Sequence, residues 1–519
     1  MKLTVFRNMK LSPSVHLTSV AVFGGLVVDI GKTEDLDRKY ALAEQIDLES
    51  GFVLPAFIDA HTHFLQHCLK QEELDFNGIG SMEACLKLVK QQALQLPAGS
   101  WIKGSGWNQN VWLPALYPSR HDLDKVAPNH PVCLDARDAH TSWVNSRALE
   151  LAGITSQTVF GNDGEIIKSA DGQPTGIIKE EARRLVWDVW DKPSIEDRAH
   201  ILRKYQSLAF QNGLCSIHCM ESIDDFEAYQ FLNAKGDLDI RVTFYFPVRY
   251  LDHLISLGLK SGFGDDRLRI GGVKIFLDGT LGSRTAHMID VYEKSDTRGM
   301  DLLDEKSLDE VVLRASEHGI ACAVHAIGDM ANRKALNAFQ KTLMIFPNHG
   351  LRHRIEHCQL LHPSDIPRFA QLDVIASMQA IHIPEDIDTA DQHWGQRARY
   401  AFPFQSLRKA GARLAFGSDV PIETCNVFQG THAALKRSRR NDPRSWHPEE
   451  CLTIREVVEA YTSGAAYAAG TEQWQGRLDV GKWADFMVVS NDLFTCSPEE
   501  IPDIRVSKMI VGGRVVYAP

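Results

Sequence analysis

Short apolar runs recur along the 519-residue chain, each followed by a polar loop and then usually by an amphipathic segment. In GGVKIFLDG, Val273, Ile275 and Leu277 alternate with Gly272, Lys274, Phe276 and Asp278, the period of a β-strand. Eight such runs suit one barrel: AFIDAHTH, LCSIHCM, IRVTFYF, GGVKIFLDG, IACAVHA, RHRIEHC, DVIASMQA and RLAFGSD. Helical patterns separate the later ones, among them SLDEVVLRASEHG, NRKALNAFQKTL and PSDIPRFAQL. Alternating β and α over this length predicts an α/β protein with a (β/α)8 TIM-type barrel.

The first and second strands are separated by more chain than a loop and helix need. The excess, mostly 64–212, holds WIKGSGWNQNVW, HPVCLDARDAHTSWVNSRALELAG and the turn-centred hairpin GEIIKSADGQPTGII. It reads as an inserted lid or substrate subdomain over the barrel mouth. The two ends resemble each other: AVFGGLVVDIGK and ESGFVLP at the start, RLDVGKWADFMVVS and VSKMIVGGRVVY at the finish. Residues 1–54 and 475–519 are therefore expected to pair into a small β-sandwich domain, leaving 55–474 for the barrel and its insertion.

Composition narrows the function. A net charge of −11 argues against a general nucleic-acid or anionic-membrane binder. No apolar run reaches transmembrane length, and the first residues lack a signal-peptide core. The ten cysteines show no CxxC pairing, and Cys133, Cys215 and Cys322 lie in apolar runs, as reduced core thiols do. A cytoplasmic protein acting on a small-molecule substrate is expected, with a homodimer as the commonest assembly.

Polar residues in the strands carry the chemistry. His61 and His63 lie two apart, so both point to one side of the first strand, and Asp59 shares that face. His325, His357 and Asp419 stand at the C-terminal ends of later strands, where barrel enzymes gather their catalytic groups. Four histidines and an aspartate converging there form a ligand set for zinc, iron, nickel or manganese. Lys274 is the awkward residue, since a buried lysine is rare unless paired. Beside metal cations its ammonium would be repelled and desolvated, lowering its pKa. The neutral amine could take up carbon dioxide, and the carbamate could bridge two metals. The other reading is a lysine reaching a carbonyl or carboxylate near the mouth.

These residues resemble a known set. FIDAHTH, the strand lysine, HAIGD, RIEH and GSD are similar to the metal-dependent amidohydrolase superfamily. WVNS, DGQPTG, VKIFLDGTLGSRTA, VHAIGDMANRKAL, RHRIEHCQL, ASMQAIH, FGSDVPIE and the closing GKWADFMVVS with IVGGRVVY resemble its YtcJ-like branch, essentially end to end. The resemblance implies one metal on His61, His63 and Asp419, a second on His325 and His357, and a carbamylated Lys274 bridging them. Zinc is the expected metal, one or two per chain. It further implies attack of a metal-activated hydroxide on a carbonyl-type carbon, with Asp419 passing the proton to a leaving nitrogen.

The chain departs from the branch at Ala56, where glycine is common, and at Asp138-Ala139-His140, where DGH is usual. Weaker candidates for substrate contact are Trp107, Gln109 and His140 in the insertion, and His218, Gln379 and His382 at strand ends. Asp278 and Arg284 could bind a polar group or pair with each other. Glu356, adjacent to His357, is expected to point the opposite way as a supporting partner. The expected activity is hydrolysis of an amide, formamide or cyclic amide. An ester or lactone hydrolase, a deaminase, and a non-catalytic regulatory relative are the alternatives.

Overall fold

All eight predicted barrel runs form strands, and they pair in chain order. The computed structural model describes residues 2–11, 17–138, 140–161, 164–347 and 350–519. Ala139 therefore lies outside the described residues. The strands are β1 (Phe57–Thr62), β2 (Leu214–Cys219), β3 (Arg241–Pro247), β4 (Leu268–Phe276), β5 (Ala321–Ala326), β6 (Arg354–His357), β7 (Ile375–Met378) and β8 (Leu414–Phe416). Every pairing between neighbours is parallel. The two ends of the sheet meet just past β8, where the Asp419 N–H donates to the His61 carbonyl at 2.7 Å. The result is a TIM-type barrel. Nearly all strand residues are buried, which is why these strands read as almost continuous apolar runs.

Helices follow the strands where their end signals stand in the sequence. Ser222 and Asp225 cap the helix Ile223–Lys235 reciprocally, side chain to backbone N–H in both directions. Gly236 closes that helix at φ +73°, a conformation that costs glycine little. The three helical patterns noted between later strands appear as Glu305–Glu317, Asp329–Ile345 and Ile366–Gln371. Asp304 caps the first of these through the Ser307 N–H.

The chain divides into two compact units, Cys68–Asp197 and the remainder. The second unit is thus shorter than the 64–212 insertion expected, and the helix Ser207–Gln211 packs on β2. Cys68–Asp197 contains its own six-stranded sheet, including the antiparallel hairpin Gly164–Lys168 with Pro174–Glu180. Trp107, Trp112 and Trp143 meet in its core, with ring centroids 5.7–6.3 Å apart.

Strands from both chain ends share one eight-stranded sheet. Phe52–Pro55 is the joint, pairing with Thr4–Leu11 on one side and Phe486–Val489 on the other. Phe6, Val20, Val53, Phe486 and Ile510 pack into a single apolar cluster, so neither end completes this core alone.

Candidate metal centre

His61 is the innermost of a triplet. Its Nε2 lies 3.5 Å from Asp419 Oδ1, and His63 Nε2 lies 3.4 Å from the same oxygen. One donor atom from each of the three falls within 4.8 Å of the others, a spacing that can hold one cation. Among the described residues this is the only such triplet. Two imidazoles and a carboxylate suit a divalent transition metal, so the donor set fits the expected cofactor class. His357 and His325 flank it. The His61 and His357 rings are 4.9 Å apart, and those of His325 and His357 4.5 Å.

Each flanking bond selects a ring nitrogen. His61 Nδ1 sits 2.6 Å from Glu356 Oε2, leaving Nε2 to face Asp419. His357 Nδ1 donates to Gln379 Oε1 at 2.8 Å, leaving Nε2 with its lone pair. His325 Nε2 donates to the Gly279 carbonyl at 3.1 Å, leaving Nδ1. An outer partner that fixes tautomer and ring angle is the common companion of a metal-ligating histidine. Burial, reinforced by the Lys274 ammonium, holds His61 neutral, the form that can ligate. The same two causes, in the same order, lower His325 to about 4. Burial opposes ionisation of Asp419, yet its carboxyl stays below the usual range, a hydrogen bond from His63 being among the causes.

Lys274 projects into this cluster. Its Nζ lies 3.4 Å from His61 Nε2 and 3.3 Å from Met220 Sδ. Among the described residues no carbonyl or carboxylate accepts a hydrogen bond from it, so the ordinary pairing foreseen as the other reading of Lys274 is not made. Burial lowers its pKa to about 8. A neutral amine is therefore accessible near neutral pH.

Glu356 corrects an expectation. Strand alternation would send it away from His357, yet both side chains enter the barrel. The reason is backbone conformation: His357 has φ +74° and Cys358 φ +47°, so the strand ends in a twist that breaks the alternation. Arg354, two residues before Glu356 and on the same face, completes the support. Its guanidinium donates to Glu356, to Ser377 Oγ at 2.6 Å and to the Ala60 carbonyl, and meets His218 Nδ1 at 2.9 Å. Burial penalises the Glu356 carboxylate, but Arg354 outweighs it and keeps the group ionised. Arg354 had drawn no attention in the sequence, although a charged pair at alternate positions of a buried strand is the same signal that singled out Lys274.

Other expected residues are distributed differently. His218 is fully buried and spends its Nδ1 on Arg354, outside the residues lining the cavity at the triplet. Gln379 is likewise spent, on His357. Asp278 is not free for a ligand: its carboxylate accepts the backbone N–H groups of His287, Ile327 and Gly328. Arg284 is exposed and, among the described residues, makes no ion pair with Asp278. Asp59 accepts the N–H groups of His61 and Ser418, tying β1 to the end of β8. His382 does line the cavity, 3.9 Å from Asp419 Oδ2, and its Nε2 has no hydrogen-bond partner.

The three insertion residues belong to the Cys68–Asp197 unit. Trp107 is a core residue there, its indole N–H given to the Leu134 carbonyl. Gln109 lines a cavity of about 300 Å³ with Arg137 and Asp138, and His140 is exposed beside Glu180 at 2.8 Å.

The cavity at the triplet measures about 370 Å³. His61, His63, Lys274, His325, His357 and Asp419 all line it. So do Gln359 and Asp386, which had not been singled out in the sequence.

Comparison with known proteins shows the family. The amidohydrolase family profile matches residues 44–517. YtcJ of Bacillus subtilis, which carries an amidohydrolase name, is 31% identical over 96% of this chain and 96% of its own length. The N-substituted formamide deformylase of Arthrobacter pascens is 26% identical over 96% of this chain and 94% of its own. A metal-dependent hydrolase from Pyrococcus furiosus superposes with a TM-score of 0.80 at 29% identity, covering 95% of this chain and all of that one.

Proposed function

This chain belongs to the amidohydrolase family, and from that premise we propose that it hydrolyses the C–N bond of an amide, formamide or cyclic amide. The observation that carries this reading is the convergence of His61, His63 and Asp419 in a cavity that also holds Lys274, His325 and His357. The deformylase relative supports the choice of bond.

His61, His63 and Asp419 would hold one divalent cation, zinc being our first choice, and His325 with His357 a second. Such ions polarise a carbonyl and lower the pKa of bound water. Lys274 as its carbamate would join the two positions; its uptake of carbon dioxide forms one N–C bond and releases one proton. Asp419, whose carboxyl is held below the usual range, accepts the proton of the attacking water. It then returns that proton to the departing nitrogen, so a free amine leaves and the carboxylate is regenerated. Glu356, Arg354 and Gln379 hold the rings in place. His382 lines the same cavity and would contact substrate.

The test offers the metal-loaded protein a panel of formamides, hydantoins, esters and purines. Cleavage of a formamide or cyclic amide, abolished by a chelator, is the expected result. A preference for uncharged esters, or release of ammonia from purines alone, overturns the C–N hydrolase reading.

A further inference from the structure

One wall of the cavity carries Gln359 and Asp386, with one acceptor oxygen left unpaired. Gln359, just beyond β6, is 3% exposed and lines the cavity. Its Nε2 donates to Asp386 Oδ2 at 3.2 Å, while its Oε1 is buried without a hydrogen-bond partner. A buried carbonyl oxygen left unpaired costs free energy, so it marks a place where a donor belongs. Asp386 lines the same cavity, from the first turn of the helix Ile383–Trp394. Glu385 precedes it, and Glu423 approaches from the segment after β8. Among the described residues none of these three carboxylates forms an ion pair. Burial, then Glu423, pushes Asp386 up to about 7, and burial followed by Glu385 raises Glu423.

A helix start favours acidic residues in its first turn, and that alone accounts for acids at 385 and 386. It accounts for neither Glu423, which lies on another segment, nor the open oxygen of Gln359. Asp386 and Glu423 repel each other, and a cation arriving beside Asp386 relieves that repulsion. Phe276, Leu281 and Ile422 line the same cavity and offer apolar surface for a methylene stem.

Resting on the amide-hydrolase reading, we propose that this wall selects a substrate bearing a protonated amine, its ammonium held by Asp386 and Gln359 Oε1. An ammonium has several N–H donors, as the two adjacent acceptors require. The substrate class is therefore an aminoalkyl amide or formamide, rather than a neutral or anionic one.

The matched probes are N-(4-aminobutyl)formamide and N-pentylformamide, compared with metal-loaded wild type and Asp386→Asn. Wild type is expected to favour the cationic member by about tenfold or more in kcat/KM. Asp386→Asn should collapse that ratio towards one, and Asp386→Glu should restore part of it. Glu423→Gln, away from the lining, serves as the second variant if Asp386→Asn does not fold, and should lower the same ratio. Calorimetric titration of both amides, up to millimolar concentration, reads the selectivity without turnover. Cation-selective, Asp386-dependent binding with cleavage of neither amide would sink the hydrolase reading and uphold the wall's assignment. Equal affinity, absent binding, or a preference that survives Asp386→Asn overturns the assignment, whatever is cleaved.

Discussion

Glu356 Oε2 lies 2.6 Å from His61 Nδ1, and Arg354 in turn holds Glu356 from the same strand. This buried chain sets the tautomer and angle of the innermost histidine of the triplet. Its two outer members make separable contributions. Glu356→Gln keeps the volume but loses the charge beside His61, and should weaken metal affinity by roughly 10–100-fold. Competition with a chelator of known affinity reads that change. Arg354→Met leaves Glu356 as an uncompensated buried charge and should cost about 3–5 kcal/mol of stability. Urea unfolding measures it, and a loss within a few tenths of wild type would remove Arg354 from this role.

Metal stoichiometry tests Lys274. Protein produced with zinc and bicarbonate should hold about two metals per chain in the two-metal reading. Lys274→Ala should hold one or none. One metal in both proteins would return Lys274 to a structural or substrate-facing role and leave the pairing of His325 with His357 without support.

Glu221 predicts a pH dependence away from the metal-binding residues. It follows β2, buried, accepting the Gln66 N–H at 3.0 Å and the Tyr229 hydroxyl at 3.2 Å. Burial first, and Asp225 second, raise its pKa from 4.5 to about 8. The folded state therefore binds this proton more tightly than the unfolded state does. Its contribution to stability is full below pH 4.5 and is lost as the pH rises towards 8. Glu221→Gln removes the titration and keeps an acceptor. Its thermal midpoint should gain on wild type steadily from pH 5 to pH 8. A difference that stays constant over this range would contradict the buried, protonated assignment.

Much of the architecture was legible because it depends on local pattern. The eight strands could be read from runs such as ACAVHA, since a parallel strand covered on both faces has few polar positions. Lys274 stood out for the same reason: one charge in an apolar strand needs an explanation. His61 and His63 could be assigned a common side because the strand period is two.

That same rule failed at His357. Its φ of +74° depends on the chain that follows β6, and no side-chain pattern encodes it. Glu356 was therefore assigned to the wrong face, and its partner Arg354 was passed over. Trp107 was misplaced for a related reason. An aromatic beside polar residues suggests a pocket, but its burial depends on Trp112 and Trp143 closing over it.

The sequence by itself determined the order of strands, the barrel, and which residue types stand at its C-terminal rim. Periodicity and residue chemistry are properties of single segments, so they need no folded partner to be read. Only the tertiary structure decided which atoms face one another. It brought Glu356 onto His61, spent Gln379 and Asp278 on supporting bonds, and left Gln359 Oε1 without a hydrogen-bond partner beside Asp386. Those relationships join residues from different strands and loops. Their geometry follows from the closure of the barrel and from backbone turns set by packing, which the linear pattern does not carry.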